Sequence, residues 1–178
     1  VFEPGNNKHA TLISIARNGP GAYVPAFYGV DYQHDGTIAS FSPLEDVPPS
    51  VERTYLKDLA RTTTCSAILT PDTTFDRTYL IETGRGCPHG CRFCSAGFIY
   101  RPPRFRPISK LAENINQGMS QTQRIGLVGS AVSDLPGIGD LCDQYIDDDI
   151  RISFSSLRAE KISPELLSAL KQSKVKTA

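Results

Sequence analysis

The chain has no excess of charge of either sign, no long apolar run and no spread of cysteines that could form a disulfide framework. Lysine plus arginine and aspartate plus glutamate both number 19, so the formal net charge is zero. That balance indicates neither a nucleic acid nor a membrane surface as partner. No apolar stretch approaches the ~20 residues of a membrane span, and the opening Val-Phe-Glu-Pro-Gly-Asn does not read as a signal peptide. Valine at position 1 suggests a fragment or a processed start. Five cysteines are present, but three crowd one loop, which argues against an extracellular staple and for a reducing cytoplasm. With 178 residues the chain can form one domain with a core, or a small domain plus a connecting region.

What is present is concentrated in the run Glu82-Thr-Gly-Arg-Gly-Cys-Pro-His-Gly-Cys-Arg-Phe-Cys-Ser-Ala-Gly97. Cys87, Cys91 and Cys94 stand at C-x3-C-x2-C, unlike the paired C-x2-C of zinc ribbons or four-cysteine ferredoxin runs. Three thiolates on one short loop can hold three irons of a cubane cluster and leave the fourth open, and an open position makes a metal site reactive. Gly84, Gly86 and Gly90 suit a loop that wraps a cluster, and Pro88 restricts its motion. The alternatives are three unrelated thiols, or a zinc knuckle completed by His89 or a distant cysteine. Cys65 is a possible fourth ligand but reads more simply as a loop thiol without a role. Cys142 falls on an apolar helical face and reads as core.

From about Tyr79 the chain repeats strand then helix, an α/β pattern. Strands are expected at 79–83, 124–129 and 150–154, with a fourth beginning at Val175. Leu111, Ile115 and Met119 mark a helix opened by Ser109. Ile138, Leu141, Cys142, Tyr145 and Ile146 form the clearest apolar stripe, ended by Asp147, Asp148 and Asp149 opposing the helix dipole. Those acids read as a solvated helix end rather than a metal site. Ser163 and Pro164 cap a last helix carrying Leu166, Leu167 and Leu170, with Lys171 and Lys174 near its end.

Residues 1–78 read as an N-terminal linker region and 79–178 as the catalytic-type core. A short helix is expected over 6–17, then strands at 22–32 and 37–41 around a turn at His34-Asp-Gly36, then a proline-rich acidic linker at 42–50. Tyr23, Phe27, Tyr28 and Tyr32 read as core or cross-strand pairs rather than a base-stacking platform. Arg101, Arg104 and Arg106, interleaved with prolines, form a dense basic segment that suits an anionic substrate or partner domain, or a solvated loop.

The cysteine loop, placed after a strand and before a helix, resembles the signature of the radical S-adenosylmethionine (radical SAM) superfamily. Gly21-Ala-Tyr-Val-Pro-Ala-Phe-Tyr28, His34-Asp-Gly36, Cys94-Ser-Ala-Gly97 and Arg101-Pro-Pro-Arg104 are similar to uncharacterised members carrying an upstream cobalamin-binding domain. The resemblance implies the first half of a partial (β/α)6, TIM-like barrel, truncated here, with chemistry at the C-terminal strand ends. It implies a [4Fe-4S] cluster on Cys87, Cys91 and Cys94 whose open iron is chelated by SAM, with Phe93 near the adenine. It also implies a flavodoxin- or ferredoxin-type reductant, and cobalamin held outside this chain. The run Leu127-Val-Gly129-Ser130-Ala131 stands where the superfamily often has Gly-Gly-Glu. Its glycine is kept and its acid is not, so backbone carbonyls at Gly129 and Ser130 are the implied contacts to the methionine amino group. Gly129 also reads as a tight strand exit. Ser156 and Arg158 resemble a Ser-Leu-Arg that contacts SAM, Arg158 through its carboxylate, with a surface salt bridge as the alternative. Reductive SAM cleavage is the implied activity, methyl transfer to an unactivated carbon the finer one, and the substrate is unknown. An iron–sulfur electron-transfer protein and a zinc-stabilised interaction module are the rival readings. These 178 residues are expected to be a piece of a longer polypeptide, cleaving SAM poorly alone.

Overall fold

The computed structural model describes residues 7–145 and 149–172. Ile146, Asp147, Asp148, Lys174 and the strand expected from Val175 lie outside the described residues. Contacts divide the chain into two compact units that meet in sequence at Leu56 and Lys57.

The first unit begins with α1 (Lys8–Asn18), whose start is capped by the Asn7 side chain accepting from His9 N–H at 3.0 Å. Antiparallel β1 (Tyr28–Tyr32) and β2 (Ile38–Pro43) follow, joined through the expected turn. There Asp35 Oδ1 accepts from Thr37 N–H at 2.9 Å, a local bond that closes the hairpin. The first strand starts later than its expected position 22, because Pro25 has no N–H and opens a 3-10 turn over Pro25–Phe27. The acidic, proline-rich stretch is no free linker. Val47 is buried with Ala16, Phe27 and Tyr28, and Tyr28 Oη donates to Pro48 C=O at 2.9 Å. Tyr28 stacks on Phe41 with ring centroids 4.9 Å apart, whereas Tyr32 is exposed.

The second unit is built on a parallel sheet of β3 (Tyr79–Glu82), β6 (Arg124–Val128) and β7 (Arg151–Phe154), in that order. Between the first two lie β4 (Gly84–Arg85), α2 (Ala96–Ile99), β5 (Arg104–Phe105) and α3 (Ile108–Met119). The chain then continues from β6 through α4 (Ile138–Asp143) to β7, and ends in α5 (Pro164–Gln172). Strand alternation sends Tyr79, Ile81, Ile125, Leu127 and Ile152 to one face. They are buried with Leu111 and Ile115 of α3, Leu141 and Cys142 of α4, and Leu166 of α5. Leu167 was expected in that stripe but is exposed, and Ala169 takes the buried place one turn on.

Residues 57–78 were grouped with the N-terminal region because the strand–helix repeat begins at Tyr79, yet they belong by contact to this second unit. Residues 64–66 run antiparallel along β3: Ser66 N–H donates to Leu80 C=O at 2.9 Å, and Glu82 N–H to Thr64 C=O at 3.0 Å. The outer edge of β3 is thereby covered. No described helix is long and apolar enough to cross a membrane.

Candidate metal centre

The cysteine loop is an excursion of the chain closed at its base. β4 and β5 pair antiparallel, Gly84 opposite Phe105 and Arg85 opposite Arg104, and residues 86–103 leave and return between them. Beneath this clasp Arg106 is 1% exposed, so it is no part of a basic binding surface. Its guanidinium donates to Leu59 C=O at 2.7 Å, to Thr62 C=O, to Thr64 Oγ1 at 2.8 Å and to Glu82 Oε2 at 2.5 Å. Glu82 also accepts from Arg85 Nε at 2.7 Å. Burial opposes the Glu82 charge, but the hydrogen bonds from Arg85 and Arg106 outweigh it and hold its pKa below the ordinary glutamate value. The proline spacing that made the basic segment look like a surface loop hid this inward arginine. Of the other two arginines, Arg101 lies on the loop over the Phe98 ring, and Arg104 in β5 donates to Pro102 C=O at 2.9 Å.

Gly86 leaves the clasp with φ +84°, where a side chain would be strained and would also collide with the Tyr100 carbonyl. Cys94 N–H donates to Cys91 C=O at 3.0 Å, folding the second and third cysteines into one turn. Cys87, Cys91 and Cys94 are free thiols, each partly exposed. Among the described residues no three His, Cys, Asp or Glu side chains converge as a single-ion site. The donor set fits an iron–sulfur cluster, which takes thiolates. Its cysteines offer three thiolates, and His89, the other ligand type on the loop, is bonded through Nε2 to Asp134 Oδ1 at 2.9 Å. Cys65 is held in a bridge opposite Ile81 and packs on the core, its thiol pushed up by burial and bonded to Tyr79. Phe93 projects from the loop, 93% exposed.

The other expected site residues stand at the ends of β6 and β7, where they hold each other. Gly129 has no room for a Cβ, which would come within 2.5 Å of Thr83 Oγ1. Its N–H donates to Ser155 Oγ at 3.0 Å and its C=O accepts from the same hydroxyl at 2.9 Å. Ser156 Oγ donates to Ser130 C=O at 3.1 Å. Sequence reasoning passed over Ser155; the serine pair closing the strand was the available signal, since alternation sends the two hydroxyls different ways. Arg158 pairs with Glu160, its Nε 2.6 Å from Oε1, and that bond raises its pKa. Cys91 and Asp134 are near enough to act on the same charge. Arg158 after β7 and Cys91 of the loop therefore lie in one region, joined also by the His89–Asp134 bond.

A family model, the radical SAM superfamily, matches residues 81–178. An uncharacterized protein of Methanocaldococcus jannaschii is 38% identical over 99 residues, 54% of this chain and 22% of that protein. The matched stretch thus spans just over a fifth of that relative's length.

Proposed function

Because the chain belongs to the radical SAM superfamily, we propose that it holds a [4Fe-4S] cluster on Cys87, Cys91 and Cys94 and cleaves S-adenosylmethionine reductively. When bound, the cluster supplies one electron to the SAM sulfonium, whose C–S bond breaks to methionine and a 5′-deoxyadenosyl radical. The chain's own residues bind and orient. Arg158 exchanges Glu160 for the SAM carboxylate, a charge-assisted contact of the same kind. The Gly129 and Ser130 carbonyls each accept one bond already and keep a second lone pair for the ammonium group. The Ser156 hydroxyl donates to Ser130 and can still accept, and the exposed Phe93 ring is free to pack on the adenine. The observation that carries this reading is a clasped loop with three free thiols beside strand ends that carry these contacts.

Helices cover one face of the parallel sheet, while Leu80, Glu82 and Ser153 on the other are only half-buried and Val128 is exposed. Parallel sheets are ordinarily covered on both faces, which supports a partial (β/α)6 barrel with that face as its interior. The finer proposal is methyl transfer in a reducing cytoplasm, with cobalamin held outside this chain and electrons from a flavodoxin- or ferredoxin-type protein.

Anaerobic reconstitution, reduction and addition of SAM test the central claim. The expected result is a SAM-dependent change in the electron paramagnetic resonance spectrum of the reduced cluster. An unchanged spectrum, with loss of the cluster in Cys65→Ala, would overturn it in favour of a four-thiolate electron carrier.

A further inference from the structure

The 3-10 turn Val132–Asp134 is where three loops at the C-terminal side of the sheet are joined. It follows β6 directly. Val132 N–H donates to Ser156 C=O at 3.1 Å, and Ser133 Oγ accepts from Arg158 N–H at 2.9 Å. Its first two residues thus fix the loop after β7. Its third fixes the cysteine loop, because Asp134 Oδ1 lies 2.9 Å from Nε2 of His89, midway between Cys87 and Cys91.

The environment of Asp134 makes that bond demanding. Its side chain is 8% exposed, and its Oδ2 is buried with no hydrogen-bond partner among the described residues. An ionised carboxylate oxygen only accepts, and Nε2 is the ring nitrogen placed to donate to it. Without His89 the carboxylate would be buried with neither oxygen satisfied, which is costly. The imidazole is therefore held at one place through Nε2. A loop bonded only to itself would have no such fixed reference.

We infer that His89 is a positioning residue: through Asp134 it fixes the three thiols against the same turn that holds Ser156 and Arg158. This rests on the reading of the loop as the cluster site. His89 is not a ligand in this account, and it touches no reacting atom.

The test compares wild type with His89→Ala, His89→Gln, His89→Asn and Asp134→Ala, all reconstituted anaerobically. Iron content and the spectrum of the reduced cluster are recorded without and with SAM. His89→Ala should keep its iron, since the three thiolates remain, but show an altered spectrum without SAM and lose the response to SAM. Asp134→Ala should show the same change, and the double variant should be no worse than either single one, as expected for one shared bond. His89→Gln, whose amide nitrogen reaches as far as Nε2, should restore both readouts. His89→Asn, which falls short, should not. Should His89→Ala fail to fold, the Gln and Asn variants decide alone.

A wild-type spectrum in His89→Ala would overturn the inference. So would equal impairment by Gln and Asn, which would indicate shape rather than a hydrogen bond. Loss of iron from every His89 variant would make the histidine a ligand and also overturn it. If wild type itself does not respond to SAM, the proposed function falls, while the SAM-free spectra still decide the role of His89.

Discussion

Replacing Arg106 with alanine should unfasten the base of the cysteine loop. The guanidinium is fully buried and serves the Leu59 and Thr62 carbonyls, the Thr64 hydroxyl and the Glu82 carboxylate. Breaking a buried ion pair from one side costs about 3–5 kcal/mol, because the partner charge stays behind. Two features place this case at the lower end. Glu82 is one-fifth exposed and keeps Arg85, and Arg106 Nε is itself buried without a partner among the described residues, so its removal recovers some desolvation. The expected loss is about 3 kcal/mol, a large share of the roughly 5–15 kcal/mol that holds a domain folded. Lysine keeps the charge but not the planar fork, so Arg106→Lys should fall between wild type and alanine. Urea titration followed by circular dichroism measures this, with the midpoint moving and the slope unchanged. The pH dependence adds a second check. The Glu82 carboxyl is held below its ordinary value of 4.5, so its contribution is full above that pH and is lost as pH falls through the lower folded value. The gap between wild type and Arg106→Ala should therefore narrow in acid below about pH 4.5. A change of under ~0.5 kcal/mol at neutral pH, as for a surface substitution, would refute the clasp.

Glu160→Gln should leave Arg158 less committed and tighten SAM binding, while Arg158→Ala should weaken it about tenfold or more in a calorimetric titration; unchanged binding in both would return the pair to a surface salt bridge. Cys142 is 1% exposed and its thiol is pushed up to about 12 by burial, so alkylation at pH 8 should mark the three loop cysteines and spare Cys142 until the chain unfolds. Mass mapping of the labelled peptides reads this directly. Gly129→Ala should displace Thr83 or the β6 exit and lower SAM affinity more than stability, as titration and thermal melting on one sample would show.

The elements with strong periodicity were legible. The stripe from Ile138 to Cys142, the cap at Ser163 and the alternation of Ile150 and Ile152 each become the expected helix or strand because burial rewards one period at a time. The cysteines were legible for a different reason, since their spacing is chemical rather than conformational. What stayed hidden depends on partners distant in sequence. Arg106 sits among prolines and looks exposed, and only its bonds to residues more than 20 positions earlier turn it inward. The same bonds tie 59–64 to the second unit, although the sequence had been divided at residue 78. The contact of His89 with Asp134, 45 residues later, has no local signal either.

The two sides of the site are prepared to different degrees, and that difference has a physical reason. At the strand ends hydrogen bonds already fix the backbone without any ligand: Ser155 serves both backbone groups of Gly129, and Ser156 serves Ser130. Contacts of this kind favour binding by removing ordering costs in advance. The cysteine loop is fixed at its base by the β4–β5 pair and at its middle by His89, while its thiols remain partly exposed and unbonded to one another. Metal–thiolate bonds are strong enough to complete the ordering of a short segment, so folding of the loop and binding of the proposed cluster would be linked. A loop fully packed beforehand would have to be reopened to admit a cubane of iron and sulfur. Anchoring it at two points limits what the proposed cluster would have to order and ties the loop to the turn after β6.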